Sequence, residues 1–211
     1  MWRVCAVLAI AATEVACSSS PLSDEDDLMR RPERFREATF VIGYDVYLGP
    51  DPQTAVAGMV WYQQGARTRV DTLDSPFGSS ASIRREDSSY NCVNNPDQEP
   101  AYCITYGPAG EPVSHGGYQM QVPWNALLSP ADYVLAGSNE RTIAEEAVNC
   151  FLLQAKEVHA ASREDVEVCL SEDGLMLGAH MPGGGPSTLT ATNVSETVPS
   201  DAFDPPYPLR E

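Results

Sequence analysis

Lysine is nearly missing from this sequence: Lys156 stands alone beside twelve arginines, and the thirteen basic residues face thirty acidic ones. A single lysine leaves little scope for Schiff-base or phosphate-loop lysine chemistry. The formal charge of −17 repels phosphate backbones and anionic headgroups, so no nucleic-acid partner is expected. Long apolar runs are also missing. Val4 to Ala12 has nine residues, which span about 14 Å as a helix and roughly half a bilayer core. No other segment is long and apolar enough to cross. There is no C-x-x-C pair, which argues against a cysteine zinc site, and no G-x-S-x-G elbow or H-E-x-x-H pair. His115, His159 and His180 are scattered, and Gly183-Gly184-Gly185 lies between prolines with no helix after it, so it reads as a strand turn rather than a phosphate cradle. Among thirty acidic side chains chance pairs are expected, and no spacing singles out a pair for glycoside chemistry. The expectation is a non-enzyme with no cofactor and no metal.

A chain of 211 residues that is 43% hydrophobic has material for one ordinary domain plus an appendage. The appendage comes first. Met1-Trp2-Arg3, the apolar run and Ala16-Cys17-Ser18-Ser19-Ser20 read as a secretory signal. A small residue before a cysteine, followed by serines, resembles the lipobox of bacterial lipoproteins. That resemblance implies cleavage before Cys17, lipid attachment on its sulfur and a membrane-anchored, extracytoplasmic location in the periplasm or on the outer face of the cell membrane. Glu14 stands where that family places Leu or another apolar residue, and cleavage after Ser18 is the competing reading. Loss of the signal removes one charge of each sign, Arg3 and Glu14, so the acidity belongs to the exported domain.

With Cys5 in the signal and Cys17 at the anchor, Cys92, Cys103, Cys150 and Cys169 remain. An even remainder in an exported chain points to disulfides, and four cysteines allow three pairings. Cys92 with Cys103 and Cys150 with Cys169 is preferred, because each pair flanks a short polar segment and ties the two arms of a hairpin.

Residues 17–32 read as an acidic tether, SSSPLSDEDD from Ser18 to Asp27, running into a short helix that starts near Ser23 or Asp24, reaches Arg36 and is divided at Pro32. The tether lacks the glycine and terminal glutamate of a calcium loop. Residues 33–211 form the domain. Phe40, Ile42, Tyr44, Val46 and Leu48 alternate along a first strand, and Ala55 to Gln64 is apolar on both parities in its middle. Arg67 to Leu73 alternates as a strand wet on one face would. Further strands are expected at Ser79 to Arg85, Ser88 to Val93, Ala101 to Tyr106, Ala147 to Ala155, Val166 to Leu170, Leu175 to Met181 and Ser187 to Ser195. Pro123 to Ala136 carries Trp124, Leu127, Leu128, Tyr133, Val134 and Leu135 at helix-like spacing and is expected to be one helical hairpin or two short helices. The tail from Pro199 is held extended by its prolines. About nine antiparallel strands with a helical insert make a mainly β domain of the α+β class.

The order of these parts, with Trp61-Tyr62-Gln63 closing the second strand and the closing phrase Pro199-Ser200-Asp201-Ala202-Phe203-Asp204-Pro205-Pro206-Tyr207, resembles the LolA-like superfamily of periplasmic lipoprotein carriers and their lipid-binding relatives of the LprG and LppX kind. The resemblance covers residues 33 to 208 and rests on order, spacing and that phrase. It implies a curved, incompletely closed antiparallel β-barrel with helices over its open side and an apolar cavity between. The candidate lining is Phe40, Ile42, Tyr44, Met59 and Trp61 from the first strands, with Trp124, Leu127, Leu128 and Tyr133 from the lid. Phe77, an aromatic in a polar turn, is the candidate transfer-loop residue. The function implied is that of a monomeric lipoprotein that binds acyl chains or a lipidated partner for transport or envelope sensing. The alternative is an interaction or regulatory sensor module with a packed interior on the same scaffold, and an unrecognised hydrolase ranks third.

Overall fold

The computed structural model describes residues 26, 28, 30, 31, 34, 37–48, 55, 57–75, 78–106, 133–156, 165–180 and 186–210. Asp26, Leu28, Arg30, Arg31, Arg34 and Glu37 carry helical backbone. Eleven strands follow: β1 Thr39–Leu48, β2 Ala57–Gln64, β3 Arg67–Ser75, β4 Gly78–Arg84, β5 Ser89–Asn95, β6 Gln98–Tyr106, β7 Tyr133–Ile143, β8 Glu146–Ala155, β9 Val166–Ser171, β10 Met176–His180 and β11 Pro186–Ser195. They form one antiparallel sheet in the order β6-β5-β4-β3-β2-β1-β11-β10-β9-β8-β7. Consecutive strands pair with one another except at one place. The first strand joins the last at the centre, and β6 and β7, consecutive in the chain, are the two edges. β7 nonetheless comes close to β11 across three intervening strands, so the sheet curls, but no edge-to-edge pairing closes it into a barrel.

Period-two patterning explains the central strands. Phe40, Ile42, Tyr44 and Val46 are buried on one face of β1 and meet Gln63, Trp61, Met59 and Ala57 of β2 across the ladder. Along that face Val168 and Phe151 continue the row into β9 and β8, and with Leu189, Leu170, Met176 and Leu28 they form the main core. The Tyr44 hydroxyl donates to the Met176 carbonyl at 2.7 Å, so the one polar atom of that deeply buried ring is partnered. A second, smaller core lies on the opposite face of β4 to β6, where Ala81, Ile83, Cys92 and Cys103 pack under Ala202 and Phe203 of the C-terminal tail.

Two expectations need correction. Tyr133 to Ala136 is strand, not helix: these residues open β7, where Leu135 meets Leu153 and Tyr133 meets Ala155 of β8. The rest of β7, GSNERT, is polar and exposed, so an edge strand wet on both sides shows no hydrophobic period to read. The remainder of the expected insert, 123–132, lies outside the described residues. The expected wet face of β3 is also covered. Arg69 and Asp71 retain only 15% and 10% of their side-chain exposure, because the tail folds over them.

The structure joins Cys92 to Cys103 and Cys150 to Cys169, each pair directly opposite in neighbouring strands. Bridges closing loops of these lengths stabilise by about 3 kcal/mol apiece in the chain-entropy account. They also fit an oxidising compartment.

Candidate functional site

Of the residues singled out as a ligand lining, Phe40, Ile42, Tyr44, Met59 and Trp61 share one face of the β1–β2 pair and are buried against one another. Phe40 and Trp61 meet edge to face at 5.8 Å between centroids. Tyr133 packs at the margin of the same cluster. Trp124, Leu127, Leu128, Phe77 and Cys17 lie outside the described residues. The apolar face does not extend across the whole sheet. Continuing the row from Trp61 through Val70, the next cross-strand partners are Ser82 and Asn91, and Ser89 lies one step along β5. Ser89 and Asn91 are buried, and the hydroxyls of Ser82 and Ser89 and the amide oxygen of Asn91 meet no hydrogen-bond partner among the described residues. The face is therefore greasy from β2 through β1 to β8 and hydrogen-bonding over β4 and β5, a division that alternation along single strands does not reveal.

The opposite face of β3 to β6 is occupied by the chain's own tail. Arg69 donates through Nη1 to the Ala202 carbonyl at 2.8 Å and through Nε to Asp71 at 2.6 Å. Arg85 donates to the Phe203 carbonyl at 2.7 Å and pairs with Asp204. Arg67 lies over the Phe203 ring at 4.9 Å. Arg67, Arg69 and Arg85 thus hold a peptide segment across the sheet, although the alternation from Arg67 to Leu73 reads in the sequence as a wet face. The closing phrase was legible as a motif, but its docking place was not, because the contacts are separated by more than a hundred residues. Burial beneath this segment pushes the Asp71 carboxyl up, and the Arg69 guanidinium partly offsets the shift. The Tyr62 phenol is raised by the same burial and by Asp71, against Arg69.

At the other end, the helical residues meet the β9–β10 turn. Arg31 donates to the carbonyls of Leu170 and Ser171 at 2.9 and 2.7 Å and lies over the Phe151 ring, while Arg34 donates to the Glu172 carbonyl at 2.8 Å. Between this segment and the β7–β8 hairpin runs an open groove of about 670 Å³ lined by Arg31, Arg34, Glu140, Thr142, Asn149 and Glu172, among others.

Cys150, Glu167 and Cys169 stand close enough to share a cation, but both sulfurs are spent in a disulfide and Glu167 is held by Arg141 at 2.7 Å. His180, the histidine among the described residues, is exposed on β10 and meets Thr188 at 3.0 Å.

Among solved structures the chain is similar to MucB. It matches MucB in complex with MucA(peri) at a TM-score of 0.54 and 16% identity, covering 84% of this chain and 58% of that one. It matches the Pseudomonas aeruginosa MucA/MucB complex at 0.55 and 15%, covering 85% and 59%, and MucB alone at 0.56 and 14%, covering 86% and 62%. The fold is LolA-like. The likeness reaches no narrower than that, and the chain spans about three fifths of the length of these structures. No family model matches the sequence. No curated protein matches it either.

Proposed function

We propose that this chain is an extracytoplasmic, non-enzymatic module that binds a protein partner in regulation or sensing. The observation that carries the reading is that its LolA-like fold recurs in MucB, including MucB held in complexes with MucA. Two features of the molecule support it. Over β1 and β2 the apolar side chains are buried against one another, which is compatible with a module that has a packed interior. The disulfides fit an oxidising compartment, and Cys17 would tether the domain through a lipid. Cross-linking in intact envelopes, with the captured polypeptide then mixed in pure form with this protein, tests the reading. A reproducible stoichiometric complex is expected, and a protein that stays uncomplexed with every captured candidate overturns it.

A second reading has one specific support, the continuous apolar face from β2 to β8. There an acyl chain would lie among Phe40, Ile42, Tyr44, Met59, Trp61 and Tyr133 beneath Trp124, Leu127 and Leu128, with Phe77 aiding transfer. Each buried methylene would contribute about 0.8 kcal/mol.

A further inference from the structure

The face of β3 to β6 that carries the smaller core is covered by the chain's own tail, and the cover is lightly attached. Of residues 199–210 only Ala202 and Phe203 are buried. Two turns hold that pair against the sheet, one closed by the Ala202 N–H donating to the Pro199 carbonyl at 3.1 Å, the other by the Asp204 N–H donating to the Asp201 carbonyl at 3.0 Å. Farther on, the Cys103 N–H of β6 donates to the Pro208 carbonyl at 2.9 Å and the Arg210 N–H donates to the Cys103 carbonyl at 2.8 Å, an isolated bridge rather than a ladder. A segment anchored by one ring and a few side-chain bonds belongs to the parts of a fold that open locally. Covering Asp71 also works against it, since burial disfavours the ionised carboxyl.

Beneath the tail lies an apolar floor of Ala81, Ile83 and the Cys92–Cys103 bridge, overlooked by Arg67, Arg69 and Arg85. Arginines bonded to carbonyls keep their charge, so all three count in full. Arg69 pairs with Asp71 and Arg85 with Asp204, whereas Arg67 meets the Gln64 amide oxygen and the Phe203 ring but no carboxylate among the described residues. The sheet thus supplies one carboxylate at this place for three guanidiniums, and the tail supplies the second. Glu86 and Asp87 stand exposed in the β4–β5 turn, where water and salt screen them.

We propose that this face is a docking site for a partner segment carrying an aromatic residue followed by an acidic one, and that the tail guards it in cis through Phe203 and Asp204. The idea rests on the partner-binding reading above and names its surface and the chemistry it selects. The partner's ring takes the place of Phe203, its carboxylate pairs with Arg85, and a further acidic residue meets Arg67. Its main-chain carbonyls serve Arg69 and Arg85 as those of Ala202 and Phe203 do. A second copy is a poor occupant. Its tail is held by its own sheet at the high effective concentration of a tethered segment, and two chains of −17 repel each other.

A fluorescent peptide with the sequence of residues 199–210, titrated against the full chain and against Phe203→Ala, tests the proposal. A site occupied in cis binds weakly until its guard is loosened, so Phe203→Ala should bind the peptide at least about tenfold more tightly than the parent. Phe203→Leu, a milder change that keeps the readout if the alanine variant does not fold, should fall between the two. In either background Arg85→Ala should weaken binding at least about tenfold, as should alanine in place of the peptide's phenylalanine. Lysine in place of the peptide's aspartates should abolish binding, and raised salt should weaken the unaltered peptide. Hydrogen exchange should place the protection on β3 to β6. A peptide that binds the parent and both variants alike or not at all, keeps its affinity without its ring, ignores charge reversal or protects another face overturns the proposal. A tail-exchanged dimer of the parent also overturns it, by giving the face to a second copy. If a captured partner binds and leaves exchange at 199–210 unchanged, the docking face fails while the partner-binding reading stands.

Discussion

Asp71 sits where a charged residue is costly. It is buried under the tail beside one arginine, and desolvation raises its carboxyl above the ordinary range. A raised folded-state value means that folding favours the proton. The stability this contributes is fully present below the ordinary carboxylate value and is lost as pH rises through the raised one. Urea titrations across that window should show the parent chain losing stability with rising pH more steeply than Asp71→Asn. Parallel slopes would show that the carboxyl is solvated. Gly174 is constrained by space instead. Its φ is +83°, and a Cβ there would overlap the Arg31 carbonyl, so the turn and the helical segment meet only through glycine. Gly65 has a φ of +58° but open space around it. Gly174→Ala should cost at least about 2 kcal/mol in chemical denaturation, and Gly65→Ala about 1 kcal/mol. Equal costs would mean that the Arg31 contact is not formed.

The C-terminal segment and β7 are the elements that the sequence read least well. The tail's prolines suggest an extended chain, yet Ala202 and Phe203 are core residues and their carbonyls are the acceptors for Arg69 and Arg85. Truncating Phe203 to Ala removes a buried ring and the surface over which Arg67 lies, a loss of about 3 kcal/mol by analogy with other core phenylalanines. Thermal denaturation checks this, and a cost below about 1 kcal/mol would mean that the segment is not held against the sheet. The period of two in β1 was legible because one face is buried and the other half-covered. The wetness assigned to β3 followed the same rule and failed, because the cover comes from the tail, with Ala202 133 positions from Arg69. The preferred cysteine pairs were readable because their partners are hairpin neighbours. β7 was misread at its start, where Tyr133, Val134 and Leu135 fit a helical period, and unread beyond it, where exposure on both faces leaves no period.

At the scale of the whole molecule, the order and spacing of elements and the closing phrase at 199–207 suggested a LolA-like scaffold, whereas the pairing of the first strand with the last, which leaves β6 and β7 as edges, was not legible. What the scaffold holds was not legible. The same alternation lines a cavity or fills a core, and the break between apolar and hydrogen-bonding halves of one face emerges only when β2 to β5 are placed side by side. The charge of −17 disfavours anionic surfaces, so under the proposed function contact would be left to a lipid on Cys17 and to a protein partner. Native mass spectrometry of the protein released gently from envelopes addresses that choice directly. A chain carrying a polypeptide of defined mass, and no lipid beyond the one attached at its N-terminus, is the result this account predicts. A chain carrying a free lipid in stoichiometric amount and no polypeptide would contradict it.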